Sequence, residues 1–419
     1  MRVLFALIML PIFLFAKDLT LEIVKDVGNE PKISIENGSV GIDGQIDKKF
    51  FKLLVGDLTV SAHFNVDEEE HRAGFEDAID FAKFKESPYL LRYALYYDDR
   101  GKLAAKMAFF DLTQNKKLLQ KSYTISDPAR YPFIAHRMVY DLCGILGFND
   151  VGFLRSFVVF SKYVGPRRAD IIISDYTLTY QKPVVTGGLN LFPKWASKEQ
   201  RAFYYTAMSE DRPTLYRVDI YKGTRQKIIS SQGMLVCSDV SEDGTKLLLT
   251  MAPNMQPDIY LYDLTTRALK RVTYYKGIDV NGNFIKGGRS IVFVSDRLGY
   301  PTIFAKRIGS RAVERLVYHS RNNSACTTHG DYVVYSSRET DNAFGKNTFN
   351  LYLISTKSDY IRRLTANGVN IFPRFSSDGS TLLFIKEYQR QSGLGVIRLL
   401  YNKTYIYPLY TGKIQSIDW

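Results

Sequence analysis

Five segments of the chain repeat the same order of apolar and polar positions. Each begins with an apolar residue, here called the anchor, continues through a short polar turn and ends in a short apolar strand. The anchors recur about every 45 residues and are Trp195, Val240, Phe284, Cys326 and Phe375. A period of this length, made of several short strands, predicts the four-stranded blades of a β-propeller.

The C-terminal residue, Trp419, falls where a sixth anchor is expected. Residues 153–189, by contrast, contain the later strands of a unit without an anchor strand. We therefore expect residues 413–418 to pair with this first segment and to close a ring of six blades over residues 151–419. A large irregular β-sandwich with accidental spacing is the alternative.

The region before the repeats, residues 17–150, shows other periodicities. Apolar residues at helical spacing predict three helices, over residues 45–56, 75–84 and 131–146. Alternating positions predict strands, before residue 35 and over residues 90–97, 103–112 and 118–125. The predicted fold is therefore an all-β six-bladed propeller with a preceding small α+β domain, and the boundary is expected near residue 150.

Residues 1–16 have the layout of a secretory signal peptide. Arg2 precedes an apolar stretch that runs from Val3 to Phe15, and Ala16 is a small residue at the expected cleavage site. The stretch is short for a membrane span. We expect cleavage and export of a soluble mature protein, and an uncleaved membrane anchor is the alternative.

The formal net charge is +13, a value that also occurs in nucleic-acid-binding proteins. Export argues against a nucleic-acid partner, and the sequence has neither a long run of Lys and Arg nor a series in which Arg and aromatic residues alternate. Two interpretations of the charge remain: a solvated surface of basic composition, or attraction to acidic partners and anionic envelope surfaces.

The chain has three cysteines, Cys143, Cys237 and Cys326. Cys143 precedes the repeats, and the other two lie two units apart, where blades approach each other only near the axis. We expect buried free thiols rather than a disulfide.

Motifs for catalysis or metal binding are missing from the sequence. It contains no G-x-S-x-G, H-E-x-x-H, C-x-x-C or phosphate-binding loop. His63 and His71 flank the acidic residues 67–70, but their spacing matches no standard ligand set, and we interpret this segment as a charged loop. The prediction is that the protein is not an enzyme and that it holds no metal or cofactor.

The loops before the anchors are the better candidates for a functional site. In a propeller they surround the mouth of a central funnel. Most of the residues at and around the fifth position before each anchor are uncharged and polar: Asn190, Leu235, Asp279, Arg321 and Asn370, with Asn281, Asn322 and Asn323 nearby. Such groups suit hydrogen bonding to a protein loop or peptide, although Asn also favours loops for conformational reasons alone.

Four features together resemble the TolB family, the periplasmic propeller proteins of the Tol–Pal envelope system. They are the helix 135–146 with its Ala-His start, the Ser-Asp pair at 174–175, the Phe-Pro-x-aromatic runs at 192–195 and 372–375, and the strand 258–264. The likeness runs in order along the mature chain and is loose before residue 130. The chain departs from the family pattern because the Pro of its Ser-Pro-Asp-Gly turns is missing in every copy.

The resemblance implies binding rather than catalysis. In the family the propeller mouth holds the peptidoglycan-associated lipoprotein Pal, and the mature N-terminus engages the inner-membrane protein TolA. By position, the implied Pal-facing residues are Met234, Asp279, Val280, Asn281, Asn322 and Asn323. The implied TolA-facing arm includes Lys17, Asp18, Leu19 and Leu21. A periplasmic location and a role in outer-membrane integrity and constriction during division are implied as well.

Two other functional classes fit the same fold. One is an exported propeller enzyme, such as a lactonase-like hydrolase, which would need a metal or a nucleophile at the axis. The other is a scaffold propeller with a different partner. Metal analysis with an esterase screen tests the first, and identification of the bound partner tests the second.

Overall fold

The computed structural model describes residues 30–208, 212–340, 347–389 and 391–419 of the 419-residue chain. The predicted signal peptide and the predicted TolA-facing arm lie outside the described residues.

The first part of the chain forms one mixed sheet with two helices. Its elements are β1 (Lys32–Asn37), α1 (Gly44–Ser61), β2 (Asn65–Arg72), β3 (Tyr89–Tyr97), β4 (Leu103–Asp111), β5 (Lys116–Thr124) and α2 (Pro132–Ile145). The strand order is β2-β1-β3-β4-β5, with β1 parallel to both of its neighbours and the remaining pairs antiparallel. The predicted small domain of helices and strands is thus confirmed.

Helix α1 shows how local sequence sets these elements. The carboxylate of Asp43 accepts hydrogen bonds from the backbone amides of Gln45 and Ile46 at the helix start. The helix ends where Ala62 adopts a left-handed conformation, with φ of 64°. Its buried side chains, among them Phe50 and Leu54, pack with α2 and the sheet in one core.

The predicted helix over residues 75–84 is wrong. The segment is a series of turns, and the guanidinium of buried Arg92 donates to the carbonyls of Phe75 and Asp77, at 3.2 and 2.5 Å. These carbonyls are therefore held by a side chain rather than by a helical turn. Phe84, which matched the helical spacing, is buried against the ring of His71 instead.

The interpretation of the acidic segment near His71 as a loop is also wrong. These residues form the edge strand β2, which pairs in parallel with β1. Backbone pairing holds the segment extended although its composition disfavours a strand.

The remainder of the described chain forms the propeller. Its first sheet has three strands of its own: β6 (Val158–Gly165), β7 (Arg168–Ser174) and β8 (Gln181–Val185). The second blade comprises β9 (Leu189–Trp195), β10 (Ala202–Met208), β11 (Pro213–Asp219) and β12 (Thr224–Ser230). The third blade comprises β13 (Leu235–Val240), β14 (Lys246–Met251), β15 (Asp258–Asp263) and β16 (Leu269–Arg271). The fourth blade comprises β17 (Asp279–Ile285), β18 (Ser290–Ser295), β19 (Thr302–Arg307) and β20 (Glu314–Arg315).

The fifth and sixth blades follow the same plan. The fifth comprises β21 (Asn323–His329), β22 (Tyr332–Arg338), β23 (Phe349–Ser355) and β24 (Ile361–Arg363). The sixth comprises β25 (Val369–Phe375), β26 (Thr381–Glu387), β27 (Ser392–Arg398) and β28 (Lys403–Pro408). The last strand, β29 (Lys413–Asp418), pairs antiparallel with β6 and so supplies the inner strand of the first blade. The six blades and their closure by the C-terminal strand are confirmed within the described residues.

Neighbouring blades are joined near the axis by side chains that bind the next anchor. The carboxylate of Asp418 accepts from the backbone amide of Trp195 at 2.8 Å, and that of Asp239 accepts from Phe284 at 2.8 Å. Lys194 lies between these two carboxylates, 3.1 Å from Asp418 and 3.5 Å from Asp239. The inner strands are therefore cross-linked by charge-assisted hydrogen bonds.

The sheet β1–β5 and its two helices are called the helical part below. A buried ionic cluster joins the helical part to the first blade. His136 on α2 has one ring nitrogen 2.8 Å from Asp57 and the other 3.3 Å from Asp175, and all three side chains are buried. The hydroxyl of Tyr176 donates to Asp57 as well. Burial alone would lower the pKa of His136, but the two carboxylates outweigh it and raise the pKa to about 10. The imidazole is therefore charged and bridges the two parts of the chain.

A second cluster joins the helical part to the sixth blade. The guanidinium of buried Arg398 donates to the carboxylate of Asp150 at 2.6 Å and to the carbonyl of Ser61 at 3.1 Å. His63 and Tyr401 bind the same carboxylate. Burial raises the pKa of Asp150, but these partners outweigh it and hold the pKa at about 2. The hydrophobic core is also continuous across this junction, so the predicted boundary at residue 150 stays a prediction.

Cys143, Cys237 and Cys326 are buried free thiols, as expected. Among the residues that the structure describes, no helix has both the length and the apolar composition needed to span a bilayer.

Candidate protein-binding face

The two ends of the propeller differ in what covers them. The helical part contacts the end at which the inner strands finish: Ser380, in the turn after the sixth inner strand, donates to the carbonyl of Asp150, and Trp419 packs near Phe153. The opposite end, where the inner strands begin, consists of the loops that lead into them and the turns between the second and third strands. We call this end the mouth face.

Large apolar side chains are concentrated on the mouth face. Most of the exposed large hydrophobic residues of the described propeller lie there: Tyr163, Val164, Met208, Met234, Met255, Tyr274, Ile278, Leu298, Tyr318, Tyr388 and Tyr410. Among the described ones, Tyr221, Leu269 and Ile361 lie toward the covered end, and Ile406 lies in the middle of β28. Exposed apolar groups gathered on one face are typical of a binding surface.

Two of the six predicted partner-facing residues are in fact interior. The side chain of Asp279 is buried, and Arg297 binds both of its oxygens at 2.9 and 3.0 Å. The side chain of Asn323 is buried as well and donates to Thr302 at 3.0 Å. Neither side chain is presented to a partner in this conformation, because Asp279 binds a turn of its own blade and Asn323 binds the third strand of the preceding blade.

Asn281 also has a structural task. Its backbone is left-handed, with φ of 55°, and its amide oxygen accepts from the backbone amide of Cys326 in the next blade at 2.6 Å. Of the remaining predictions, Val280 and Asn322 are half-buried, and Met234 is 48% exposed. For these three residues, partner contact stays a prediction.

Two of the asparagines before the anchors, Asn190 and Asn370, are buried and turn inward. Asn190 donates to the carbonyls of Ala169 and Gly187, and Asn370 donates to those of Phe349 and Asn367. They tie the inner strand of one blade to the preceding blade, so their frequency before the anchors reflects blade packing.

What the mouth face does expose includes arginines stacked on tyrosines. The guanidinium of Arg271 lies 4.8 Å from the ring centre of Tyr274, and that of Arg315 lies 4.6 Å from the ring centre of Tyr318. The pairs Arg297–Tyr275 and Arg321–Tyr300 lie at 5.1 Å each. The sequence shows no series of alternating Arg and aromatic residues, yet the fold assembles one, because loops of successive blades return to the same face.

The sequence carries a signal for part of this surface. Arg-x-x-Tyr occurs at 271–274 and again at 315–318, at the same place in two consecutive units. Because the motif recurs at the same distance from the anchors, the sequence indicates that it belongs to the loop between the last strand of one blade and the inner strand of the next.

One cluster among the described residues has a composition that could hold a metal ion: Asp67, Glu69 and His71. It lies on the edge strand β2, far along the chain from the mouth face, and Asp67 already binds Ser34 and His71. Two of its three side chains are therefore already hydrogen-bonded to each other.

Comparison with known proteins agrees with the propeller. Residues 152–397 match the TolB beta propeller domain family. A protein of Wolinella succinogenes named Tol-Pal system protein TolB is 48% identical over 410 residues, covering 97% of each chain. A protein of Helicobacter hepaticus with the same name is 43% identical over 416 residues, covering 99% of this chain and 98% of the relative.

A solved structure extends the match to the whole fold. The crystal structure of TolB from Acinetobacter baumannii superposes with a TM-score of 0.75 over 92% of this chain and 96% of that one, at 21% identity. At this identity the likeness concerns the fold alone.

Proposed function

Because the chain belongs to the TolB family of Tol–Pal system proteins, we propose that it acts as a periplasmic protein-binding component of that system. Its partner at the mouth face is a Pal-like peptidoglycan-associated lipoprotein. The observation that carries this proposal is the concentration of exposed Met, Ile and Tyr side chains on the one end of the ring that the helical part leaves uncovered. Tyr and Met are enriched where proteins meet.

The mouth face can be tested with matched pairs of substitutions. Met234 and Ile278 are 48% and 46% exposed and stand before consecutive inner strands, so Met234→Asp with Ile278→Asp places charge in the proposed contact. Leu269→Asp with Ile361→Asp makes the same change toward the covered end. We expect the first pair to weaken binding of the soluble domain of the Pal-like lipoprotein about tenfold or more, and the second to leave it unchanged.

Isothermal titration of both variants and the parent protein measures these affinities, and thermal melts check that each variant is folded. Equal affinities for all three would contradict the mouth face as the site. No binding by the parent protein would contradict the proposed partner itself.

For TolA we propose contact through the N-terminal arm that contains Lys17, Asp18, Leu19 and Leu21. This proposal rests on family membership, since the arm lies outside the described residues. Deletion of residues 17–27 from the mature protein is expected to abolish co-purification of TolA while the Pal-like lipoprotein is still recovered. Retention of TolA by the shortened protein would refute the assignment.

The proposed activity is binding and not catalysis. The most perturbed histidine among the described residues, His136, has both ring nitrogens bound by buried carboxylates, so it has no free nitrogen with which to take a proton from a substrate. Through its two partners the protein would support outer-membrane integrity and constriction during division. A deletion strain should become sensitive to detergents and divide in chains, and the mouth-face variant should complement it poorly.

A further inference from the structure

The two Arg-x-x-Tyr loops of the mouth face are built alike. In each, the arginine side chain donates through Nε to the carbonyl two residues later: Arg271 to Thr273 at 2.9 Å, and Arg315 to Val317 at 2.6 Å. The tyrosine that follows lies over that guanidinium. Two consecutive blades therefore present the same arrangement toward the same side.

Both tyrosines are held in place and yet exposed. Tyr274 and Tyr318 are 72% and 71% exposed, and the hydroxyl of Tyr274 donates to the carbonyl of Arg271 at 3.0 Å. A large side chain that is already fixed in position loses little conformational entropy when a partner covers it. Such tyrosines are typical of residues that contribute strongly to binding.

Two of the carboxylates near these tyrosines are already paired with arginines. Asp258 binds Arg271 at 2.5 Å, and Asp279 binds Arg297. Asp296 is half-buried, and one of its oxygens accepts from the backbone amide of Ile278 at 2.7 Å.

Other cations of the same loops have no such compensation. Among the described residues, no carboxylate forms an ion pair with Lys276, Arg315 or Arg321. Lys276 and Arg321 are exposed, and each follows one of the two tyrosines by two or three residues. The loops of the third and fourth blades therefore combine uncompensated cations with fixed aromatic rings.

We propose that this part of the mouth face, formed by Tyr274, Lys276, Ile278, Arg315, Tyr318 and Arg321, binds an acidic polypeptide segment in which carboxylates flank apolar side chains. Carboxylates would pair with the guanidinium and ammonium groups, and apolar side chains would cover the tyrosines. The proposal rests on the proposed function, because it describes the chemistry of the partner at the same site. A polypeptide fits better than a nucleic acid, since the exposed Ile278, two residues after Lys276, suits an apolar side chain.

The experiment uses two probes. The first is the soluble domain of the Pal-like lipoprotein, titrated at low and at high NaCl. The second is a fluorescent peptide of alternating Glu and Leu or Phe, compared with its counterpart in which Gln replaces Glu. The variants are Lys276→Glu with Arg321→Glu, and Lys222→Glu as the matched control, since Lys222 is an exposed cation toward the covered end.

We expect the charge-reversed pair to weaken both the lipoprotein domain and the acidic peptide by at least about tenfold, mainly through a slower association rate, with the Lys222 variant unchanged. Binding should also weaken as salt rises. The acidic peptide should bind the parent protein at least about tenfold more tightly than the Gln peptide, as loss of several charge pairs requires.

The two proposals fail in different ways. Lipoprotein binding that is insensitive to salt and to charge reversal, together with equal affinities for the two peptides, would overturn the acidic partner and leave the proposed function standing. Peptide discrimination without lipoprotein binding would support the acidic partner and contradict the proposed function. Tighter binding of single-stranded DNA than of the acidic peptide would overturn the choice of a polypeptide.

Discussion

The two ends of the propeller use charged groups in opposite ways. At the covered end, His136 and Arg398 are buried, and each is bound by a carboxylate across the junction with the helical part: His136 by Asp175 and Arg398 by Asp150. At the mouth face, Lys276 and Arg321 are exposed and lack a carboxylate partner among the described residues. Charges that are buried and paired fix one arrangement of the two parts, whereas exposed and unpaired charges are available to another molecule.

The largest change in stability should come from removing the buried positive charge of His136. His136→Ala leaves the carboxylates of Asp57 and Asp175 facing each other in the interior without a counter-charge. We expect the free energy of unfolding to fall by about 3–5 kcal/mol, the usual result of breaking a buried pair. Urea denaturation measures it, and a change below about 1 kcal/mol would show that the cluster does not stabilise the junction.

The pH dependence of stability should follow from the same group. The folded-state pKa of His136 is about 10, above the ordinary value of 6.5, so its contribution is complete below about pH 6.5 and is lost as the pH rises toward 10. The free energy of unfolding should fall by up to about 1.4 kcal/mol per pH unit across this range. His136→Gln should flatten that slope. Identical slopes in denaturation series from pH 6 to 9 would be inconsistent with a charged His136.

A smaller effect is expected inside the mouth face, at the buried carboxylate. Asp279→Asn keeps the shape but removes the charge opposite Arg297, which can still reach water. We expect a loss of about 1–3 kcal/mol in unfolding free energy, measured by thermal or urea denaturation. Reversal of the charge at Asp279 would damage the loop itself, so weaker binding in such a variant would not identify a contact residue.

The smallest effect on stability should come from the exposed tyrosines. Tyr318→Ala is expected to change the unfolding free energy by no more than about 0.5 kcal/mol, because the side chain is largely in solvent. If the mouth face binds as proposed, the same variant should weaken the Pal-like domain by about 1–3 kcal/mol. A variant that is both stable and fully competent in binding would remove Tyr318 from the site.

Prediction from sequence succeeded for elements whose apolar residues recur periodically. It failed for segments whose conformation depends on a contact with a residue distant in the chain. The helix that contains Phe50 and Leu54 follows from local spacing and from its cap at Asp43. The false helix near Phe75 has similar spacing, but its carbonyls are taken by Arg92 from another strand. The edge strand with His71 was missed because pairing with β1, and not its acidic composition, holds it extended.

The sequence predicted which loops surround the mouth, whereas which of their residues contact a partner stays a prediction. The loops before the anchors do form the open face, as the repeat indicates. Their asparagines, however, satisfy backbone groups of neighbouring blades, and their tyrosines and cations are what remains outside. Backbone groups that become buried when the blades pack need hydrogen-bond partners, and small polar side chains supply them. These groups become buried only in the packed ring.

The sequence by itself determined the repeat, the number of blades and the closing strand, because each depends on the alternation of apolar positions and on the spacing of anchors as far as Trp419. Only the tertiary structure decided which loop residues are exposed on the mouth face. Ile278 and Asp279 are neighbours in the chain, yet the apolar side chain is 46% exposed and the charged one is buried. The reason is that Arg297, from the turn between the second and third strands of the same blade, reaches the carboxylate and compensates its charge, and no local pattern encodes that contact.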